Sequence, residues 1–427
     1  MQKFTSNLLA LNQTLTLALW SGIMVGGMAI ASCTSASSLN PQASPPPPAT
    51  PPDSTSSTPV ISTSVLSTPV AQAPKTLQSK ILAKNLEHPW SMAWLPDGST
   101  LITERPGRLR IMRNGRLDPN PIAGVPSVFA SGQGGLLDVA LHPRFQENQW
   151  VYFSYSAGDR NTNQTKVARA KFDGKILTDW QDIFQADPTK TGTQHFGSRL
   201  LWLPDETLLI SIGDGGNPPL KIEGELSRKQ AQNLRSRLGK VLRVKDDGSV
   251  PADNPFVNQA NAAPEIWTYG HRNIQGLALD AATGQVWASE HGSRGGDELN
   301  RLEAGKNYGW PEVSYSREYT ADQMVAPVTT RSDVPNPWVV WTPSIAPSGL
   351  MVYQGDELSG WQGNVLAGGL VSKDVRRIAV DGQGQAKELG AIALGQRVRD
   401  VRQGPDGSIY VLTDADAGQL IRLETAQ

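Results

Sequence analysis

The 427-residue chain has one cysteine and five histidines, and no long apolar run beyond its N-terminal one. The single cysteine, Cys33, excludes an intramolecular disulfide, so the folded body must be held by packing. No cysteine cluster or close histidine pair offers zinc-like spacing, which argues against zinc. The 39 Lys and Arg are balanced by 40 Asp and Glu and interspersed with them, and no clustered basic face marks a nucleic-acid partner. Helix signals are scarce; SRKQAQNLRSRLGK, residues 227–240, is the best short helix or helical-turn candidate. What the chain has instead is glycine (41), proline (31) and tryptophan (12), the materials of many turns and short strands.

The N-terminus reads as an export signal. Lys3 precedes an apolar stretch from Leu15 to Ile30 that runs into Ile30-Ala31-Ser32-Cys33. A sole cysteine placed there resembles the lipid attachment point of a bacterial lipoprotein, with residues 1–33 as the signal; an ordinary signal peptide or an N-terminal anchor is the alternative. Thr34 after Cys33, rather than an aspartate, favours an outer membrane if the cell has one. Residues 34–75 are mostly Ser, Thr, Pro and Ala, with the run PPPP at 46–49. Such a tether cannot form a core and could reach on the order of 100 Å when extended. The body, residues 76–427, is expected to be soluble and outside the cytoplasm, touching a membrane through the lipid alone.

Within the body one theme recurs. SMAWLPDGSTLITERPGRLRIM begins at Ser91, DVALHPRFQENQWVYFSYS at Asp138, and RLLWLPDETLLISIGDGG at Arg199. GLALDAATGQVWASEHG begins at Gly276, GLMVYQGDELSGWQGNVLAGGL at Gly349, and DVRQGPDGSIYVLTDADAGQLIRL at Asp400. Each is an apolar strand, a turn rich in Pro, Asp and Gly, a second apolar strand and a polar tip, which is the pattern of a hairpin. Six hairpins at intervals of about 45–75 residues predict an all-β, six-bladed β-propeller with a funnel-shaped site at one end of the central channel.

The tips carry the chemistry. His195, in TGTQHFGSRL, is followed nineteen residues later by Asp214 of GDGG. A histidine beside a carboxylate can wait neutral as a base and be stabilised once protonated; a polar loop histidine without a task is the bland alternative. Arg397 and Arg399 alternate on one strand face and, with Arg272, repel one another unless an anion lies between them. A flat, multiply carboxylated ligand suits such forks, whereas salt bridges to neighbours such as Asp400 are the plain reading. The loop Glu290–Asn300 is rich in glycine and carboxylates, the donor chemistry calcium prefers. Asp297 and Glu298 with carbonyls near Tyr308 make one candidate site, and the carbonyls of Gly292 and Ser293 another.

Taken together, GQGGLLDVALHPRF, HFGSRLLW, GDGG, YGHRNIQGLA, DELNRLEAGKNYGWP, APSGL and RVRDV resemble the soluble aldose (glucose/sorbosone-type) sugar dehydrogenases that use pyrroloquinoline quinone (PQQ). The resemblance runs from about Leu86 to Leu423 and implies oxidation of aldoses at C1 to lactones. By position it implies His195 as general base and Asp214 as its support. It places Gln133, Arg272, Asn273, Lys373, Arg397 and Arg399 on the quinone, the lysine column falling on either Lys373 or Val371. Gly292 and Ser293 match the backbone ligands of a quinone-bound calcium, and Glu298 and Tyr308 those of a second, structural calcium. Ser293 stands where glucose-specific relatives carry proline, so the likeness is to the broad-range aldose branch. Two other classes compete: a calcium-dependent lactonase, which would not need the arginines, and a silent propeller that binds a sugar or a protein. Neither the preferred sugar nor the extracytoplasmic electron acceptor is written in a motif.

Overall fold

The computed structural model describes residues 77–381 and 385–425. The signal (1–33) and the tether (34–75) lie outside the described residues. Among those described, no helix is long and apolar enough to cross a membrane.

Six four-stranded antiparallel sheets form in sequence order, the six blades of a propeller. Their first strands are Pro89–Trp94, Leu136–Leu141, Leu200–Trp202, Ile274–Asp280, Pro347–Val352 and Val398–Gln403, and these six neighbour one another around the axis. Every recurring hairpin of the sequence supplies the first two strands of a blade; the outer two lack its signature. Blade 6 closes the ring, because its outermost strand is the first described one, Leu77–Leu86, paired with the last described one, Gly418–Thr425.

The core is a set of layers between blades rather than one interior. Leu109, Leu136 and Phe153 pack between blades 1 and 2; Leu208, Ile210 and Tyr152 between 2 and 3. Val241, Leu277 and Ala288 fill the next layer, Trp287 and Leu350 the fourth, and Tyr353 with Val411 the fifth. Leu86, Met92 and Leu412 seal blade 6 against blade 1. Strands covered on both faces need continuous apolar character, which explains LLISI at 208–212. These layers stabilise a chain that has no disulfide.

The axis is polar. Asp138 accepts from Ser91 Oγ (2.5 Å) and Leu200 N (2.7 Å) and faces Arg402 (3.1 Å). Arg199 bridges Asp400 at 2.9 Å, with its guanidinium 4.2 Å from the Trp90 ring centroid. Burial of these charges is tolerable because each is paired and hydrogen-bonded.

Of the short helix or helical turn expected over 227–240, a 3-10 turn forms at Ser227–Ala231, and Lys240 begins the strand Lys240–Val244. The physical reason lies in Lys240. Its buried ammonium donates to the carbonyls of Gln230 (2.8 Å), Ala231 (3.0 Å) and Leu238 (2.8 Å), folding the segment back on itself.

Candidate active site

In five blades the pairing of the first two strands is irregular near the start of the inner strand, between Pro89 and Ser91, Leu136 and Val139, Ile274 and Gly276, Pro347 and Leu350, and Val398 and Asp400. Bulges re-aim side chains beside functional sites, and this is the end at which Arg272, Asn273, Arg397 and Arg399 collect.

His195 and Asp214 meet here. His195 Nδ1 lies 2.6 Å from Asp214 Oδ1, with side chains 3% and 1% exposed. Asp214 Oδ2 accepts the Trp310 indole N–H (2.8 Å), and Oδ1 also accepts Gly216 N (3.1 Å). A carboxylate fixed by donors selects the tautomer with hydrogen on Nδ1 and a lone pair on Nε2. Nε2 has no hydrogen-bond partner among the described residues. Burial lowers the His195 pKa, the Arg272 guanidinium lowers it further, and Asp214 opposes both. The imidazole is therefore neutral at neutral pH, as a base requires.

The backbone around the dyad depends on glycine. His195 itself has φ +53°, a left-handed value that is costly for a side-chain-bearing residue. A Cβ on Gly213 would stand 2.2 Å from the His195 carbonyl oxygen, and one on Gly197 2.6 Å from that of Ser211. HFGS and GDGG thus lie against each other as only glycine permits. Gln133 Oε1 accepts His195 N at 2.8 Å, so Gln133 anchors the histidine's backbone.

Arg272 donates to Asn217 Oδ1 (2.6 Å) and the His291 carbonyl (3.2 Å), and reaches the Tyr319 hydroxyl at 3.4 Å. Its Nε is buried without a partner, as is Asn273 Nδ2. Asn273 Oδ1 accepts Gly197 N (3.1 Å). Arg399 is buried and donates to Gln275 Oε1 (3.1 Å), while Arg397 is exposed at the rim. The anion between these two arginines is the protein's own. Asp414 faces Arg397 (3.1 Å) and Arg399 (3.5 Å), not Asp400, which belongs to the axis. Burial works against the Asp414 carboxylate, but Arg399, His88 and Arg397 hold it well below its usual range.

A cavity of about 560 Å³ is lined by His291, Gly292, Ser293, Tyr319, Thr342 and Val371, among others, and Arg272 links it to the dyad through His291 and Tyr319. Val371 thus stands on the wall. Lys373 is exposed at φ +60° and is absent from that lining. Its backbone closes a turn, with N–H on the Gly369 carbonyl (3.2 Å) and its own carbonyl accepting Leu394 N (3.1 Å).

Glu298, Glu290 and Tyr308 line a smaller cavity of about 10 Å³ that shares His291 and Gly292 with the first. Glu290 is occupied by His271 Nδ1 (3.0 Å) and Arg272 N (2.8 Å). Among the described residues Glu298 has one side-chain hydrogen bond, to Asn300 Nδ2 (3.0 Å), and burial with the neighbouring Glu290 pushes it up to about 8. The Tyr308 carbonyl accepts no hydrogen bond among the described residues. Asp297, expected beside Glu298, is occupied by Gly292 N (2.8 Å), Ser344 Oγ (2.6 Å) and Ala346 N (2.8 Å). Adjacent strand residues face opposite ways, which separates the two acids. Among the described residues no three His, Cys, Asp or Glu side chains form a metal cluster, so an ion here would rely on carbonyls.

Sequence reasoning did not single out Trp310, Asn217, Tyr319, Gln275 or Lys190. Trp310 stood inside the quoted NYGWP, yet its tie to Asp214 spans 96 residues.

A six-bladed propeller with a buried histidine–carboxylate pair and clustered arginines at one end of its channel defines the class of this protein. The Glucose / Sorbosone dehydrogenase family model matches residues 86–422, and the chain belongs to that family. Aldose sugar dehydrogenase YliI of Escherichia coli is 38% identical over 355 residues, covering 82% of this chain and 93% of the relative. The crystal structure of the soluble E. coli aldose sugar dehydrogenase in the apo-form superposes with a TM-score of 0.77 at 38% identity, covering 82% of this chain and 100% of that one. The PQQ-bound form of the aldose sugar dehydrogenase of Streptomyces coelicolor gives a TM-score of 0.64 at 26% identity, with 82% and 100% covered. The protein is an oxidoreductase acting on CH–OH donors, of the aldose sugar dehydrogenase kind.

Proposed function

We propose that this chain oxidises aldose sugars at C1 to lactones with PQQ and Ca²⁺, using His195 as general base. The observation that carries the reading is the His195–Asp214 contact at 2.6 Å, with Nε2 left unpartnered. Nε2 takes the proton of the C1 hydroxyl, and Asp214 stabilises the imidazolium that results. Trp310 and Gly216 keep Asp214 from turning, and Gln133 keeps the histidine backbone in place.

The residues fit the cofactors. Arg272 Nε and Asn273 Nδ2 are buried donors without partners, which a ligand bearing carboxylate and carbonyl oxygens would satisfy. Arg272, Asn273, Arg399, Arg397 and Gln133 would hold the quinone. The Gly292 and Ser293 carbonyls would serve its calcium. Glu298 and the Tyr308 carbonyl would serve a second ion; hard oxygen donors and a carboxylate that burial and the neighbouring Glu290 push up favour calcium there. When bound, the quinone supplies a two-electron acceptor for the C1 hydride and calcium polarises it as a Lewis acid. Delivery of the electrons to an acceptor outside the cytoplasm, from a body tethered through Cys33, completes the proposal and rests on the N-terminal sequence.

The test is titration of the purified body with PQQ and calcium while sugar-dependent dye reduction is followed. Saturable activation that needs both additions and is lost with a chelator is expected. Absence of quinone binding at micromolar levels would overturn the reading.

A further inference from the structure

Lys190 has no role in the chemistry described so far, yet it lies against the dyad. Its backbone is fixed on both sides to Asn163, N–H to carbonyl and carbonyl to N–H, each at 2.9 Å. The side chain is 4% exposed. Its Nζ lies 3.7 Å from the Phe196 ring centroid and has no hydrogen-bond partner. Asn163 Oδ1, on the residue paired with it, is also buried and unpartnered. The stem runs beside Gly215, where an added Cβ would come within 3.5 Å of Lys190 Cδ. That lays the Lys190 stem against the residue that follows Asp214, and the Asp214 charge acts on its amine without a direct ion pair.

The charged groups around it are few. Asp214 faces Lys190 from the loop after Leu208–Ile212, and His195 comes from its own loop. Arg272 acts on His195 from the neighbouring blade. Phe196 and Asn163 bring nothing that titrates. An ammonium so placed draws on the same carboxylate that supports the imidazolium, and it repels that imidazolium directly.

We propose that Lys190 is a positioning residue that sets the basicity of His195 by competing with it for Asp214. The idea rests on the reading of His195 as the base. Burial, opposed by Asp214, pushes Lys190 down to about 7. It is therefore charged while His195 titrates, since the His195 pKa is lowered from 6.5. Deprotonation near pH 7 then releases Asp214 to the imidazole and strengthens the base. Two steps follow, one from His195 and one from Lys190.

The decisive experiment is ¹⁵N NMR titration of the five histidines in the parent, Lys190→Met and Lys190→Arg, with His195 assigned by its loss in His195→Gln. In Lys190→Met the His195 titration moves up by roughly half a unit to one unit, and the second step near pH 7 disappears. Lys190→Arg keeps the low His195 titration but also lacks the second step. The acid limb of kcat/KM moves with the NMR titration. A purely structural lysine would lower Tm and leave the histidine curve in place, so superimposable His195 titrations in all three proteins overturn the proposal. If the titration moves but no sugar is oxidised with quinone present, the proposed function fails and the electrostatic role stands.

Discussion

Replacing Asp214 by asparagine exchanges one oxygen for an amide nitrogen at a position where every neighbour is a donor. Oδ1 receives His195 Nδ1 at 2.6 Å and Gly216 N at 3.1 Å; Oδ2 receives Trp310 Nε1 at 2.8 Å. With its NH₂ toward His195, the amide donates to Nδ1 and moves the ring hydrogen to Nε2, where no lone pair remains for the substrate proton. With its oxygen toward His195, the tautomer survives but two buried N–H groups face each other at the Trp310 contact. Each unsatisfied buried donor costs about 1–3 kcal/mol, and the shorter contact is the worse conflict, so the first orientation prevails. Asp214→Asn should then lose about 10²–10⁴-fold in kcat/KM, the worth of a positioned base, close to the floor set by His195→Ala. Adding Trp310→Phe removes the conflicting donor and frees the second orientation. At 1.36 kcal/mol per factor of ten, the double variant should regain roughly tenfold to a hundredfold over Asp214→Asn. The assay is kcat/KM for dye-linked sugar oxidation, with ¹⁵N shifts reporting the tautomer. A double variant no faster than Asp214→Asn, with Nε2 still protonated, would refute the reasoning.

Two further outcomes are expected. His142 is buried, accepts Arg144 N on Nδ1 (2.9 Å), and burial lowers its pKa from 6.5. The unfolded chain binds its proton first, so this stability is present above about pH 6.5 and is lost as pH falls below it, by up to about 1.4 kcal/mol per unit. His142→Asn keeps an acceptor for Arg144 and should flatten the fall of Tm with acid; an unchanged slope would show that His142 carries none of it. In the full chain expressed in a bacterial host, Cys33→Ser should shift the protein from the detergent phase to the aqueous phase, and equal partitioning would exclude lipid attachment at that residue.

The hairpins were legible because a Pro/Asp/Gly turn between two apolar strands states its geometry locally. The outer strands of each blade, such as Leu177–Gln185 with its mixed exposure, carry no such mark. Residues 227–240 were legible as a helical turn but not in its extent, because the position of Lys240 is decided by carbonyls that converge only after folding. Asp414 was missed as the partner of Arg397 and Arg399 for a similar reason. Asp400 is nearer in sequence, but Val398 pairs with Thr413, which brings Asp414 opposite Arg397, and Asp400 turns to the axis. His195 and Asp214 were readable from spaced motifs. The indole that orients Asp214 and the amine that competes for it lie in segments whose proximity is a product of the ring.

The Lys240 ammonium sits among three carbonyl oxygens much as a small cation would, but it is bonded to the chain and cannot diffuse away. Ala231 also accepts Gly270 N (3.0 Å), and Gly239 N donates to Gly213 (3.0 Å), so this anchored side chain braces the segments that carry Arg272 and Asp214. A chelator has nothing to remove there. If the proposed calcium sites are emptied, this brace stays in place, because no part of it is an ion that can leave.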